Sequence, residues 1–100
     1  MITKYNDYCI ICGRPRDDMH HCLKGVKQRH LADEDELIIP VSREHHEAIH
    51  KRKELNVLVE IIAQLAWERD QLISNQELPF DDLSGRVRED FRTRYGRSYL

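Results

Sequence analysis

The chain has no apolar run long enough to cross a membrane: stretches such as LIIP fall far short of the ~20 residues a spanning helix needs. Its opening residues, MITKYNDY, are polar and lack the pattern of a secretory signal. The expectation is a cytoplasmic protein with no membrane contact. Internal repeats, low-complexity segments and flexible linkers are missing as well, so the 100 residues are expected to form a single domain, 1–100. A domain of this size buries a modest fraction of its surface, and a staple would help it fold. Strong charge of one sign is also lacking. A formal net charge of −2 argues against a histone-like coat on nucleic acid. Cysteine is scarce: three residues, an odd number, two of them in the C-x-x-C at Cys9 and Cys12. In the cytoplasm that spacing means metal or redox chemistry more often than a structural disulfide.

What is present is unevenly spread. Residues 1–30 carry Lys4, Arg14, Arg16, Lys24, Lys27 and Arg29, and the run Asp33-Glu34-Asp35-Glu36 then supplies acid. CIICGRPRDD reads as a knuckle, two cysteines around a turn closed by Gly13 and Pro15. MHHCL is a candidate strand. KGVKQRHLADEDE is expected to be a loop with at most a turn of helix. LIIPV, 37–41, is the clearest strand, with Pro40 ending it. Ser42 then stands as an N-cap. Glu44 and Glu47 come early and Lys51, Arg52 and Lys53 late, the order a helix dipole favours, so REHHEAIHK is expected to be a helix. ELNVLVEIIAQLAWERDQLI reads as a long amphipathic helix with Leu55, Leu58, Ile62, Leu65 and Leu72 as its main apolar face. Trp67 belongs to the core or to a dimer face; the 54–73 helix is the candidate homodimer contact. NQELPFDDL breaks the pattern, and Ser84 is expected to cap a last helix that runs to about Tyr95, with Gly96 at its C′ position.

All six histidines lie in the first half, five of them as His20-His21 and His45-His46-His50. His46 and His50 are spaced i, i+4, which on a helix puts both on one face. That spacing can clamp a metal ion; taken alone it fits two solvent-facing histidines equally well. Neighbours on a strand face opposite ways. One of the His20-His21 pair can therefore join His46 and His50 on a metal while the other stays free to accept a proton. A metal with three protein ligands keeps an open position for water or a phosphate oxygen. Histidine titrates near neutral pH and suits a general base. The layout is that of a hydrolytic site.

At these residues the sequence resembles the HNH, or ββα-metal, endonucleases, and small phage-type members with a leading zinc knuckle most of all. The matching pieces are CIICG, MHHC and LIIPVSREHHEAIH, with the closing RYGRSYL extending the likeness. The resemblance implies an α+β fold. Its ββα-metal core would span 9–53, and 54–100 would be a helical extension. It implies a metal-dependent DNA endonuclease or nickase, in phage recombination or DNA processing, working in the host cytoplasm. His20 would hold the catalytic metal with His46 and His50. His21 would be the general base that activates water against the scissile phosphate. The metal, Mg²⁺, Mn²⁺, Ni²⁺ or Zn²⁺, would stabilise charge on the leaving 3′ oxygen and leave 5′-phosphate and 3′-hydroxyl ends.

Two positions depart from the family pattern. Where the middle Asn of the name would fall, just before LIIP, the chain has Asp35 and Glu36, and an ionised carboxylate accepts hydrogen bonds without donating any. Where many members carry a second C-x-x-C, the chain has Ser42-Arg43-Glu44-His45. A structural Zn²⁺ is therefore expected on Cys9, Cys12 and His45. Cys22 is the first candidate for the fourth ligand, His50 its rival, and a small buried apolar role the other reading of Cys22. Lys24, Lys27, Arg29 and Arg43 are the candidate phosphate contacts, set against the plainer reading of a charged loop. The arginines at 86, 88, 92, 94 and 97 read either as DNA contacts or as a solvated helix face. The alternative function is a catalytically inactive, zinc-stabilised nucleic-acid-binding or adaptor module.

Overall fold

The computed structural model describes residues 2–74 and 80–100. The histidine pair sits on β1 (Asp18–His21) and the apolar run on β2 (Ile38–Val41). The two strands pair antiparallel, with Asp18 opposite Val41, Met19 opposite Pro40, His20 opposite Ile39 and His21 opposite Ile38. Pro40 does not end the strand but lies inside it. The Cys22 N–H donates to the Leu37 carbonyl at 3.2 Å, and antiparallel bonding alternates, so Met19–Pro40 is a pair without ladder hydrogen bonds. The missing N–H of Pro40 costs the ladder nothing there. Its carbonyl instead accepts from the Ile10 N–H at 2.9 Å, which docks the knuckle on the sheet.

Between the strands the chain forms a helix, α1 (Val26–Glu34), where a loop was expected. Its capping residue, Gly25, supplies no side-chain cap, and its sequence shows no apolar stripe beyond Leu31 and the fully buried Ala32. Tertiary contacts hold it. Gln28 donates to the Tyr95 carbonyl at 3.0 Å and accepts from the Tyr99 hydroxyl at 3.0 Å. Asp35 accepts from Arg94 at 2.7 and 2.9 Å and from the Tyr95 hydroxyl. Asp35 thus ties the end of α1 to the far end of the chain.

The helix expected after Ser42 is α2 (Arg43–Lys51), and the Ser42 hydroxyl accepts from the His45 N–H as an N-cap. Arg52 separates it from α3 (Lys53–Ser74). The buried stripe of α3 is Val59, Ala63, Ala66 and Trp67, not the expected set. Leu58 is 50% and Leu65 46% exposed, while Leu55 packs against the edge of the core. Apolar residues surround much of this helix, so its rotation is set by the contact of Trp67 with Phe91, centroids 5.5 Å apart. Phe91 lies on α4 (Phe80–Tyr95), which already includes Ser84, so Ser84 is not its cap. Of the expected break at 75–83, residues 75–79 lie outside those described. Gly96 closes α4 as expected, with a left-handed φ of 79° and its N–H on the Arg92 carbonyl.

The result is a small mixed α+β protein, a two-stranded antiparallel sheet and four helices among the described residues. One apolar core joins Leu23, Leu37, Ile39, Val41 and Ile49 to Val59, Ala63, Trp67, Phe91 and Tyr95. No helix among the described residues is long and apolar enough to cross a membrane.

Candidate active site

Among the described residues two clusters of metal-capable side chains form, and α2 contributes to both. The first lies at the knuckle. The turn is closed by the Gly13 N–H on the Cys9 carbonyl at 2.9 Å and the Cys9 N–H on the Arg14 carbonyl at 2.7 Å, with Gly13 at φ 77°. A side chain with a Cβ is strained at that φ, which is why glycine stands there. The N-cap of α2 turns the first helical residues towards this turn, so that donor atoms of Cys9, Cys12 and His45 come within 4.8 Å of one another. Cys9 Sγ is 3.8 Å from His45 Nδ1. Burial raises the Cys9 thiol pKa, but backbone N–H groups of Ser42, Cys12 and Ile11 and the Ser42 hydroxyl outweigh it and bring the pKa down to about 6. A thiolate at neutral pH is what a metal requires.

Cys22 does not join this group. It is fully buried in the core, and desolvation pushes its thiol pKa up to about 12. It follows His21, the last residue of β1, and its side chain packs in the core. His50, the other candidate, lies in the second cluster. Ser42 lies beside the group, with Oγ 3.1 Å from His45 Nδ1 and 3.9 Å from Cys12 Sγ.

The second cluster is His20, His46 and His50, with donor atoms again within 4.8 Å of one another. The three rings lie 5.0 to 5.3 Å apart, centroid to centroid. The strand supplies one ring and successive turns of α2 the other two, as the i, i+4 spacing requires. His20 is 4% exposed and its Nε2 is buried with no hydrogen-bond partner. An orphaned buried nitrogen is costly unless something binds it. Burial first, then the neighbouring imidazoles of His46, His50 and His21 and the Lys24 ammonium, hold the His20 pKa down to about 4, so its ring is neutral. Three imidazoles with donor atoms this close together make a donor set suited to a first-row divalent cation. His46 Nδ1 lies 3.1 Å from Asp18 Oδ2, which leaves Nε2 as its free nitrogen.

His21 faces away from that trio and pairs elsewhere, Nε2 to Asp33 Oδ1 at 2.7 Å. It still opens on the same cleft, about 450 Å³ in volume, whose walls also include His20, His46, His50, Lys24 and Arg29. Two of the four candidate phosphate contacts therefore line the cleft. Lys27 is exposed on α1, and Arg43 is exposed at the start of α2, its N–H on Asp17 at 2.8 Å. The C-terminal arginines divide differently. Arg94 binds Asp35 and Glu34, Arg88 binds Glu68, Arg92 lies 3.8 Å from Glu89, and Arg97 stacks over the Tyr99 ring. Arg94 and Arg88 thus form ion pairs between elements.

Two residues of the site escaped sequence reasoning, Asp18 and Asp33. Asp18 left a faint trace, since it stands two residues before His20 and so on the same face of the strand. Asp33 left none, because its relation to His21 exists only once α1 folds back on β1. No family model, curated protein or solved structure matches the chain.

Proposed function

We propose that the protein is a metal-dependent DNA endonuclease or nickase with an HNH-like ββα-metal core. The observation that carries this reading is the convergence of His20, His46 and His50, with the orphaned His20 Nε2 among them, beside a fourth histidine that is free of the cluster and opens on the same cleft. His20, His46 and His50 would hold a divalent ion, which when bound supplies positive charge to the leaving 3′ oxygen. His21 takes a proton from the attacking water. Lys24 and Arg29 hold the phosphates beside the cut, with Lys27 and Arg43 farther along the backbone. Cys9, Cys12 and His45 of the knuckle would hold a structural Zn²⁺, which would pin the N-terminal turn to α2.

Nicking of supercoiled plasmid, with Mg²⁺, Mn²⁺, Ni²⁺ or Zn²⁺ added in turn, tests the reading. The wild type should cut and leave ends that a ligase reseals. His21→Ala should lower the rate by about 10²- to 10⁴-fold, the usual worth of a general base. A wild type that cuts with no metal ion, or a His21→Ala variant that cuts as well as wild type, sinks the assignment. DNA binding with a single tightly held zinc and no cutting would point to the inactive nucleic-acid-binding module.

A further inference from the structure

We propose that Asp33 is the positioning residue for the base, holding His21 so that Nδ1 alone faces the water. This rests on the nuclease reading. An ionised carboxylate can only accept a hydrogen bond, so across the 2.7 Å contact His21 Nε2 is the donor and carries the proton. The lone pair of the neutral ring is then on Nδ1. In the step itself Nδ1 takes one proton from water, and the water oxygen forms a bond to phosphorus. The P–O3′ bond breaks, and the 3′ oxygen leaves with the electron pair and takes a proton from solvent. As Nδ1 gains its proton the ring becomes a cation, and the Asp33 carboxylate already at Nε2 stabilises it.

The contact joins two elements that are each fixed independently. His21 sits in the sheet opposite Ile38. Asp33 follows the fully buried Ala32, whose carbonyl accepts from the Leu37 N–H at 2.8 Å, and two residues later Asp35 is clamped by Arg94 and Tyr95. The carboxylate is thus delivered by a rigid helix end. Asp33 and His21 are 56% and 30% exposed at their side chains, so as an ion pair alone they add little stability. A role in orientation and a role in stability therefore give different results on mutation.

The test uses the full-length, metal-loaded protein with Asp33→Ala and Asp33→Glu, and reads the ring nitrogens of His21 directly. In ¹⁵N spectra, at a pH where the ring is neutral, wild-type Nδ1 should have the shift of an unprotonated nitrogen and Nε2 that of a protonated one. In Asp33→Ala the two shifts should draw together as the second tautomer appears, and Asp33→Glu should keep the wild-type pattern. In the nicking assay Asp33→Ala should lower kcat by about 10-fold or more, within what a general base contributes, and Asp33→Glu should restore most of it. KM for the plasmid should stay within about twofold, because the loss falls on the chemical step. Unchanged His21 shifts in Asp33→Ala overturn the proposal, and so does an unchanged kcat. A lower unfolding temperature with unchanged shifts makes Asp33 merely structural and overturns it too. If the wild type does not cut at all, the nuclease reading fails separately, and the nitrogen shifts still decide whether Asp33 sets the His21 tautomer.

Discussion

His46 shows how much one side chain is asked to do. Its Nδ1 meets the Asp18 carboxylate, and its other nitrogen is the one it would offer to the proposed metal. A carboxylate behind a ligating imidazole fixes the ring and raises its basicity, and loss of such a partner typically lowers metal affinity by about 10- to 100-fold. Asp18→Ala should therefore weaken Mn²⁺ or Ni²⁺ binding by that factor in calorimetric titration, with the knuckle zinc unaffected. Equal affinity in the variant would show that Asp18 does not support the site. Ser42 is the second such residue. It caps α2 and also lies beside the Cys9–Cys12–His45 group. Ser42→Cys offers a thiolate there, so zinc should be held at least about 10-fold more tightly against a competing chelator, thiolates being the softer and better zinc ligands. Without zinc the same variant should be about 1 kcal/mol less stable to urea, from the lost cap.

Among the elements, α1 and α4 depend on each other. Arg94 on α4 reaches Asp35 at the end of α1, and Gln64 on α3 secures the tail beyond α4. Gln64 is fully buried and fully bonded. Its amide donates to Glu68 at 2.8 Å and to Ser98 at 3.0 Å, and its carbonyl accepts from the Tyr99 N–H at 2.6 Å. Gln64→Leu should destabilise the fold by about 1–3 kcal/mol in denaturant unfolding, because buried partners are left unpaired. It should also loosen the tail and, through Tyr99 and Gln28, the start of α1, read as faster amide exchange there. Stability unchanged within error would mean that the tail is held by other contacts. The outward face of α3 carries Leu58 and Leu65, so a homodimer through residues 54–73 would use those side chains.

For the molecule as a whole, metal and pH are the controls to vary. Metal held by either proposed site in the native fold alone would add directly to folding stability. At free zinc about 100-fold above Kd the gain is about 2.7 kcal/mol, on the order of 10–20 °C in Tm for a domain this small. A chelator should lower Tm by that much, as seen by circular dichroism, and added zinc should restore it. Alkaline pH acts through Cys22. Its thiol pKa is raised by burial from 9.0 to about 12, so the folded state favours the neutral thiol. That stability is complete below pH 9 and is lost as pH rises from about 9 to 12. Tyr95, raised by burial and by the Asp35 carboxylate, works in the same direction. Cys22→Ala should be less stable at neutral pH because of the cavity, yet its stability should fall less steeply above pH 9. Parallel alkaline slopes for the two proteins would contradict this.

The sequence by itself determined what depends on local spacing. The C-x-x-C turn, the strand at LIIPV, the helix after Ser42 and the placing of His46 and His50 on one face all follow from residues a few positions apart. So does the opposed aim of His20 and His21, because strand geometry alternates. Only the tertiary structure decided which partners those side chains meet. Asp33 on His21, Asp18 on His46, Arg94 on Asp35 and Ser42 beside Cys12 at the knuckle are contacts between elements. The helical state of α1 and the buried face of α3 belong with them, since neither segment carries a local pattern strong enough to choose. Local periodicity sets an element and the faces it offers. Which face is buried, and which carboxylate stands behind which histidine, is fixed only when the single core closes.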